Sequence, residues 1–348
     1  MMGYENLIWE MPVVLYLFLA GVGAGALVTS GSVLGRGPTG HFGANYRQVA
    51  RIAAYIAPFP LIIGTAALVY ELGSFQAGNY FRFMNLYGVM NLSPMSVGTW
   101  LLTLTIPLSI VYAGTFLRWD IAGAGDASRL ERLVARLAPW LRRGEPYRER
   151  AQRILAYAVV PLGIGTGIYT GVLLGAMPSQ PFWNTPILAL LFLVSAISTG
   201  VAATLLTRAL LEIFGKEQDQ ESAGADDRET ANYLLSATDT AFIGLELVAV
   251  FLFLMYAHLT VGQVEQAVAV VLPGGELAGV FWIGFILLGL LVPLAVELYY
   301  VLPTLLHGRR YAAPPAADVA VCALVLVGGF VLRYVVLLAG QITGPIGI

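Results

Sequence analysis

Five ionisable residues stand inside long apolar runs: Glu71, Asp239, Glu246, Glu297 and Arg333. A carboxyl group can take up and release a proton, and a guanidinium is a fixed cation that orients anions or pairs with carboxylates. Asp239 and Glu246 are seven residues apart. On a helix that spacing puts them on one face, about 10 Å apart along the axis. Tyr16 and Tyr169 lie a few residues inside two other apolar runs, and a phenol can both donate and accept a hydrogen bond. Plainer roles compete: a solvated helix start for Asp239, a surface cap for Glu71, and a structural ion pair for the deeper three. Tyrosine favours the edge of a membrane in any case.

The elements that carry these groups follow from composition. Of 348 residues, 58% are hydrophobic and only 11% charged, against about 25% charged in soluble domains. The apolar residues fall in runs of about 20, the length that crosses a bilayer core. A barrel would show alternating segments of about 10 residues instead. The chain is therefore an all-α polytopic membrane protein, one integral membrane domain over residues 1–348. Eight spans are expected, at about 11–33, 50–74, 95–117, 152–175, 184–209, 237–260, 279–304 and 317–340. Glu5 and Glu10 precede the first run where a signal peptide would carry positive charge, so that run reads as a span.

Basic residues orient the spans. Seventeen of the 19 lysines and arginines fall on alternate links, those after spans 1, 3, 5 and 7, or within two residues of those links at the span ends (Arg51, Arg153, Arg208). Arg82 alone lies in an opposite link and Arg333 within a span. Both termini are thus expected outside. Residues 118–151 read as a surface helix and 215–231 as a solvated acidic loop. The outer link 75–94 is aromatic and amide-rich, either an interfacial belt or a docking surface. Span 2 and span 4 share an echo: Ala-Tyr, then a proline followed by Gly-Thr (Pro60, Gly64, Thr65; Pro161, Gly165, Thr166). It suggests repeated helix hairpins.

Depth follows from about 1.5 Å per residue. Glu71, Arg333, Tyr169 and Tyr16 all fall in the outer part of their spans, four polar groups from four helices at one level. Asp239, Glu246 and Glu297 form an inner set. Arg333 needs a carboxylate from another helix or a polar cavity, since its unpaired burial would cost several kcal/mol. The single cysteine, Cys322, excludes a cluster held by several thiolates of this chain, and His41, His258 and His307 do not form a facing pair for haem. Metal-binding spacings and phosphate loops are absent. The small residues GAGAL from Gly23 read as helix packing.

Four stretches carry a resemblance: YLFLAGVGAG (Tyr16–Gly25), SPMSVGTW (Ser93–Trp100), YTGVLLG followed by PFWNTP (Tyr169–Pro186), and LRYVVLLAGQ (Leu332–Gln341). In their order and placement the chain resembles the NrfD/polysulfide reductase membrane-subunit family. The resemblance implies eight spans, no haem or iron–sulfur cluster in this chain, and an outer iron–sulfur subunit with ferredoxin-like clusters as partner. That subunit would connect to a molybdopterin-type catalytic subunit. It further implies electron exchange with a membrane quinone, menaquinone or ubiquinone, near the outer face. Tyr169 matches a family tyrosine at the quinone. Tyr16 stands where the polysulfide reductase type has a histidine, and Val13 where it has an amide. Glu71 and Arg333 match family polar positions, which makes Tyr16, Tyr169 and Arg333 the expected quinone ligands and Tyr169 and Glu71 the expected catalytic pair. Glu71, Asp239, Glu246 and Glu297 are the expected proton route.

The expected function is a quinone-reactive anchor of a multi-subunit oxidoreductase in a bacterial or archaeal cytoplasmic membrane, with no nucleic-acid partner. The alternatives are a secondary transporter that uses the intramembrane carboxylates and a structural anchor without turnover. The orientation is directly testable. Cysteines introduced as Gly3→Cys and Gly347→Cys, in a Cys322→Ser background, are expected to react with a membrane-impermeant maleimide added from outside. Labelling only after permeabilisation would reverse the topology.

Overall fold

The computed structural model describes residues 9–37, 46–73, 84–88, 93–117, 145–214, 225–260, 262–308 and 310–343. Eight helices are long and apolar enough to cross a membrane. They are α1 (Met11–Arg36), α2 (Tyr46–Glu71), α3 (Pro94–Gly114), α4 (Glu145–Gly175), α5 (Ile187–Ile213), α6 (Ala225–Leu259), α7 (Val280–His307) and α8 (Pro315–Ile342). Two short helices, Asn85–Gly88 and Gln263–Val268, lie between spans. No strand occurs among the described residues.

Local chemistry sets the helix ends. Ser93 caps α3 by accepting the Ser96 N–H at 3.2 Å, and Pro94 occupies the first turn, where its missing N–H costs nothing. Thr185 accepts the N–H of Ile187 at the start of α5. In α2, Pro58 and Pro60 remove two donors, and the helix kinks at Ala57 without unwinding. In contrast, α4 passes through Pro161 unbroken. The first part of α7, Val280–Leu291, is a wider π-type helix that tightens at Val292, one residue before Pro293. The proline ring would crowd the carbonyl of Gly289 in a regular α turn, and the wider winding avoids that clash.

Several expected boundaries move. The largest shift is in α6, which begins at Ala225 rather than near 237. Hydropathy marks only the bilayer-length core, and a helix continues past it wherever its residues favour helix. Residues 225–231, expected as loop, are therefore helical, while 215–224 lie outside the described residues, as does 118–144 of the expected surface helix. Arg208, expected in a link, lies inside α5, buried, and donates to Asn232 Oδ1 at 3.0 Å.

The helices pack as two groups. α1 packs against α2 and α4, and α3 lies against α4 and α2; α5 packs against α6 and α8, and α7 against α8 and α6. α1 and α5 join the groups, crossing at Gly25 and Gly200, where a Cβ on either would run into the other helix's backbone. Gly23 seats Leu61 and the Ala57 carbonyl. The GAGAL stretch is thus a packing seam, and small residues are what bring membrane helices this close. A second close crossing joins Gly289 of α7 to Gly328 of α8.

The start of α1 and the end of α8 meet on one side. Trp9 and Gln341 exchange two hydrogen bonds, Trp9 N–H to Gln341 Oε1 at 2.9 Å and Gln341 Nε2 to the Trp9 carbonyl at 3.0 Å. This end is called outer below, following the bias of the basic residues. The uncharged 176–183 link folds inward here: Trp183 is buried, stacks on Trp9, and donates to the Val336 carbonyl at 2.7 Å.

Gly200→Val is expected to lower the yield of folded protein in detergent, or its melting temperature, consistent with overpacking costs of about 1–3 kcal/mol or more. Gly244→Ala is the control, since a Cβ there meets nothing within 4 Å. Equal stability of the two variants would show that the α1–α5 seam tolerates a side chain.

Candidate functional site

The first four helices enclose a cavity at the outer end, of about 220 Å³. Its walls are Trp9 and Val13 of the α1 entry, Leu68, Glu71 and Leu72 at the end of α2, Met95 of α3 and Leu173 of α4. One turn deeper on the same helices stand Tyr16 (from Val13), Gly98 (from Met95) and Tyr169 (from Leu173). Tyr16 is fully buried and Tyr169 is 6% exposed. The two phenols lie within reach of one another one turn below the cavity, yet the Tyr16 hydroxyl has no hydrogen-bond partner of good geometry. A buried hydroxyl without a partner is uncommon and suits a site that expects a ligand.

Gly98 explains how Tyr169 fits. A Cβ at this position would overlap the phenolic carbon and oxygen of Tyr169. The head of Tyr169 therefore rests on bare α3 backbone. The tyrosine was legible in sequence; its glycine seat was not, because nothing local distinguishes Gly98 from the other packing glycines. Glu71 is half-buried at the rim, where its Oε1 accepts the Glu10 N–H at 3.0 Å. That bond ties the end of α2 to the start of α1, so Glu71 is both a structural cap and part of the cavity wall.

The last four helices hold a second constellation. Arg333, fully buried, donates to Ser195 Oγ at 2.8 Å and to the Gly329 carbonyl at 2.7 Å, and lies 5.4 Å from the Phe192 ring centre. Its other nitrogens have no protein acceptor, and one of them packs over Gly21 of α1, where a Cβ would come within 2.8 Å. Ser195 also faces Glu246, which is in electrostatic reach of Arg333. Below Glu246 comes Asp239, which accepts from Ser198 Oγ at 2.7 Å. Then comes Glu297, accepting from Thr240 at 2.9 Å, and finally Asp318, which accepts from Tyr311 at 3.3 Å. Tyr311 is itself bonded to Ser236 at 2.8 Å, and burial beside Asp318 pushes its phenol well above the usual range. Neighbouring members of this row are in mutual electrostatic reach, and Glu212 near the inner end of α5 reaches Asp318.

The row thus descends from the depth of Arg333 to the inner end of α8. Its four carboxylates are at most 7% exposed. One guanidinium cannot neutralise four buried carboxylates, so protons must be shared among them. Asp239 is wholly enclosed and is not a solvated helix start. Arg333, expected level with the tyrosines, is held by α5 and α8 with Glu246. Asp318 and Tyr311 escaped the sequence reading because Asp318 sits three residues into α8, where an acidic residue reads as a helix-start charge. Cys322 is free and buried among Asp239, Glu297 and Asp318. His258 and His307 are both exposed, at opposite ends of the bundle, and His41 lies outside the described residues. No group of three His, Cys, Asp or Glu side chains is placed to hold a metal ion among the described residues.

With this geometry in hand, comparison with known proteins decides the family. The family model described as "Polysulphide reductase, NrfD" matches residues 2–345. The chain belongs to the NrfD family. It is 29% identical over 339 residues to a polysulfide reductase chain of Wolinella succinogenes, covering 97% of this sequence and 96% of that one. It is 27% identical over 343 residues to protein NrfD of Escherichia coli, covering 98% and 97%. A selenate reductase subunit of Mesobacillus selenatarsenatis is 24% identical over 321 residues, with 87% and 68% covered. The motifs that resembled the NrfD family have separate jobs here. SPMSVGTW caps α3 and seats Tyr169, YLFLAGVGAG carries Tyr16 and the α1–α5 seam, and LRYVVLLAGQ carries Arg333 and the Gln341 clasp.

If Glu246 balances Arg333 through Ser195, Glu246→Leu should destabilise the fold by about 3 kcal/mol, the cost of leaving a buried charge without its counterpart. Adding Arg333→Met should restore more than half of the lost melting temperature. A double variant no more stable than the single one would show that the two charges are uncoupled.

Proposed function

We propose that this chain is the membrane subunit of a reductase complex and exchanges electrons between a membrane quinone and an outer iron–sulfur subunit. The observation that carries the reading is the outer cavity, rimmed by Glu71 and set one helical turn above Tyr16 and Tyr169, in a chain of the NrfD family. Its relatives are named as parts of a polysulfide reductase and of a selenate reductase, which supports membership of a multi-subunit reductase. The subunit beside it would carry ferredoxin-like clusters, and a molybdopterin-type subunit would do the terminal chemistry. The bacterial or archaeal cytoplasmic membrane is the proposed location.

The residues present fit a quinone ring. The cavity has apolar walls for its faces, and one turn below it the unsatisfied Tyr16 hydroxyl and the Tyr169 hydroxyl are donors for a carbonyl oxygen that reaches that depth. A bound quinone takes up or releases two electrons and two protons. Tyr169, held against Gly98, fixes the ring's orientation. Glu71, at the rim, holds and passes a proton between the cavity and the outer surface. The apolar walls of Val13, Leu68 and Leu173 limit access of water. Menaquinone and ubiquinone both present such carbonyls.

The carboxylate row supports a second part of the reading. Glu246, Asp239 and Glu297, extended inward by Asp318, form a proton route through the second helix group, with Arg333 at its head. Hydroxyls of Ser198, Thr240 and Tyr311 beside Asp239, Glu297 and Asp318 orient the carboxyl groups and can relay protons. The aromatic outer segment from Phe75 to Pro94, with Tyr80 and Arg82, is proposed as part of the partner interface; most of it lies outside the described residues.

In the complex purified with its partner subunits, Tyr169→Phe should slow quinol-driven reduction of the partner's clusters ten- to a hundredfold, about 1.4–2.7 kcal/mol in barrier. That is in keeping with one charge-assisted hydrogen bond. Glu297→Gln should slow the same reaction by interrupting the proton route. Neither change should alter turnover with a soluble dye that feeds the partner directly. Parent-level quinol rates in both variants would remove the proposed site and route.

A further inference from the structure

The outer cavity is too small for a whole membrane quinone. Its 220 Å³ lies below the roughly 300 Å³ at which pockets begin to enclose drug-sized ligands. It holds a ring, so a polyprenyl tail has to leave it. Below it the helices are closed: Tyr16 is fully buried, and Tyr169, 6% exposed, is seated on Gly98. The α1 and α4 walls are closed by Val13 and Leu173, at 2% and 3% exposure.

The α2 side is different. A second hollow of about 280 Å³ adjoins the first there, and Leu68 and Leu72 line both. It runs between α2 and α3 from the outer end towards Pro107, past Val69 on one side and Leu102, Thr103 and Ile106 on the other. α3 is the least enclosed of the eight spans, with 28% of its apolar window buried against 67% in α1, and Trp100 and Leu104 beside the hollow face outward at 56% and 58% exposure. Tyr87 closes the outer mouth: its hydroxyl bonds to Thr103 at 2.7 Å and its ring meets Trp100 edge-on at 5.3 Å. Thr99 and Thr103 turn their hydroxyls onto the carbonyls of Met95 and Thr99, whereas the buried Thr65 hydroxyl on the α2 side has no partner.

We infer that the α2–α3 groove is the tail subsite and lateral entrance for a polyprenyl quinone, with Tyr87 as its outer stop. The inference rests on the quinone reading above and extends it. The ring reaches the tyrosines past Leu68 and Leu72, and the tail remains between Val69 and Ile106, continuous with the lipid. Binding energy then comes largely from apolar contact along the groove, so affinity depends on the tail while orientation depends on the tyrosines.

The test uses the intact complex and pairs of quinols that share a head group, one polyprenyl and one tailless, as both benzoquinols and naphthoquinols. Thr103→Trp fills the groove from an exposed position, and Val69→Phe does so from the α2 side. In either variant the KM for the polyprenyl quinol should rise at least tenfold relative to that for its tailless partner. An unchanged ratio in both folded variants overturns the inference. Failure of the parent complex to oxidise any of these quinols would overturn the quinone reading itself, a separable result. A binding readout stands beside the kinetics. Thr103→p-benzoylphenylalanine, irradiated in native membranes, should yield a quinone adduct by mass spectrometry. Adducts with phospholipid acyl chains alone would assign the groove to lipid and overturn the inference.

Discussion

The backbone crossing of α1 and α5 is the constraint on which the arrangement depends. At Gly25 and Gly200 the two helices approach until no side chain fits between them. Lipid tails are as apolar as leucine, so burial alone does not hold two such helices together; close packing does. The crossing locks the first helix group to the second and carries Gly21 to the guanidinium of Arg333. Without it, the deepest cation in the chain would lose the enclosure that α1 provides.

This joint allows two kinds of chemistry to be kept apart. The first helix group contributes a small apolar cavity with Glu71 at its rim and two phenols one turn below it. The second contributes the buried charge: one guanidinium and four carboxylates, each accompanied by a hydroxyl or another polar partner. A quinone ring needs a dry, shaped slot with donors at its carbonyl edges, and charged groups inside that slot would bring water with them. Proton movement needs the opposite, closely spaced acids in a polar row. The proposed function would use both arrangements, one in each helix group, and the groups meet along the α1–α5 seam beside the Arg333–Gly21 contact.

The clasp at the outer end serves the same division. Gln341 and Trp9 close the two ends of the chain on one another, and Trp183 wedges the link between α4 and α5 beneath them. Trp9 is also a wall of the outer cavity. The rim of the proposed quinone site is thus built from residues distant in sequence, and its shape follows the docking of α8 against the chain's start. The open side is the one next to α3, the least enclosed of the eight spans.

Much of this was legible in the chain itself. Eight apolar runs at bilayer length, a lopsided distribution of arginine and four short motifs determined the fold class, the expected orientation and the family, because each depends on composition or local order alone. The cost of charge in lipid picked out Glu246, Glu297 and Arg333 before any contact was known. Tertiary structure alone decided which groups meet. Depth along a helix is countable from sequence, but the direction a residue faces depends on which helices touch. Arg333 could therefore be assigned a level and not its Ser195–Glu246 partnership. Tyr169 could be singled out, but Gly98 matters only because α3 and α4 touch there. Asp318 was not singled out, because an acidic residue in the first turn of a helix is ordinary; its place in the row depends on Tyr311 and Glu297 packing around it. Helix ends escaped for a related reason: hydropathy records where lipid must be, whereas α6 continues twelve residues beyond its expected start wherever helix remains favourable in water.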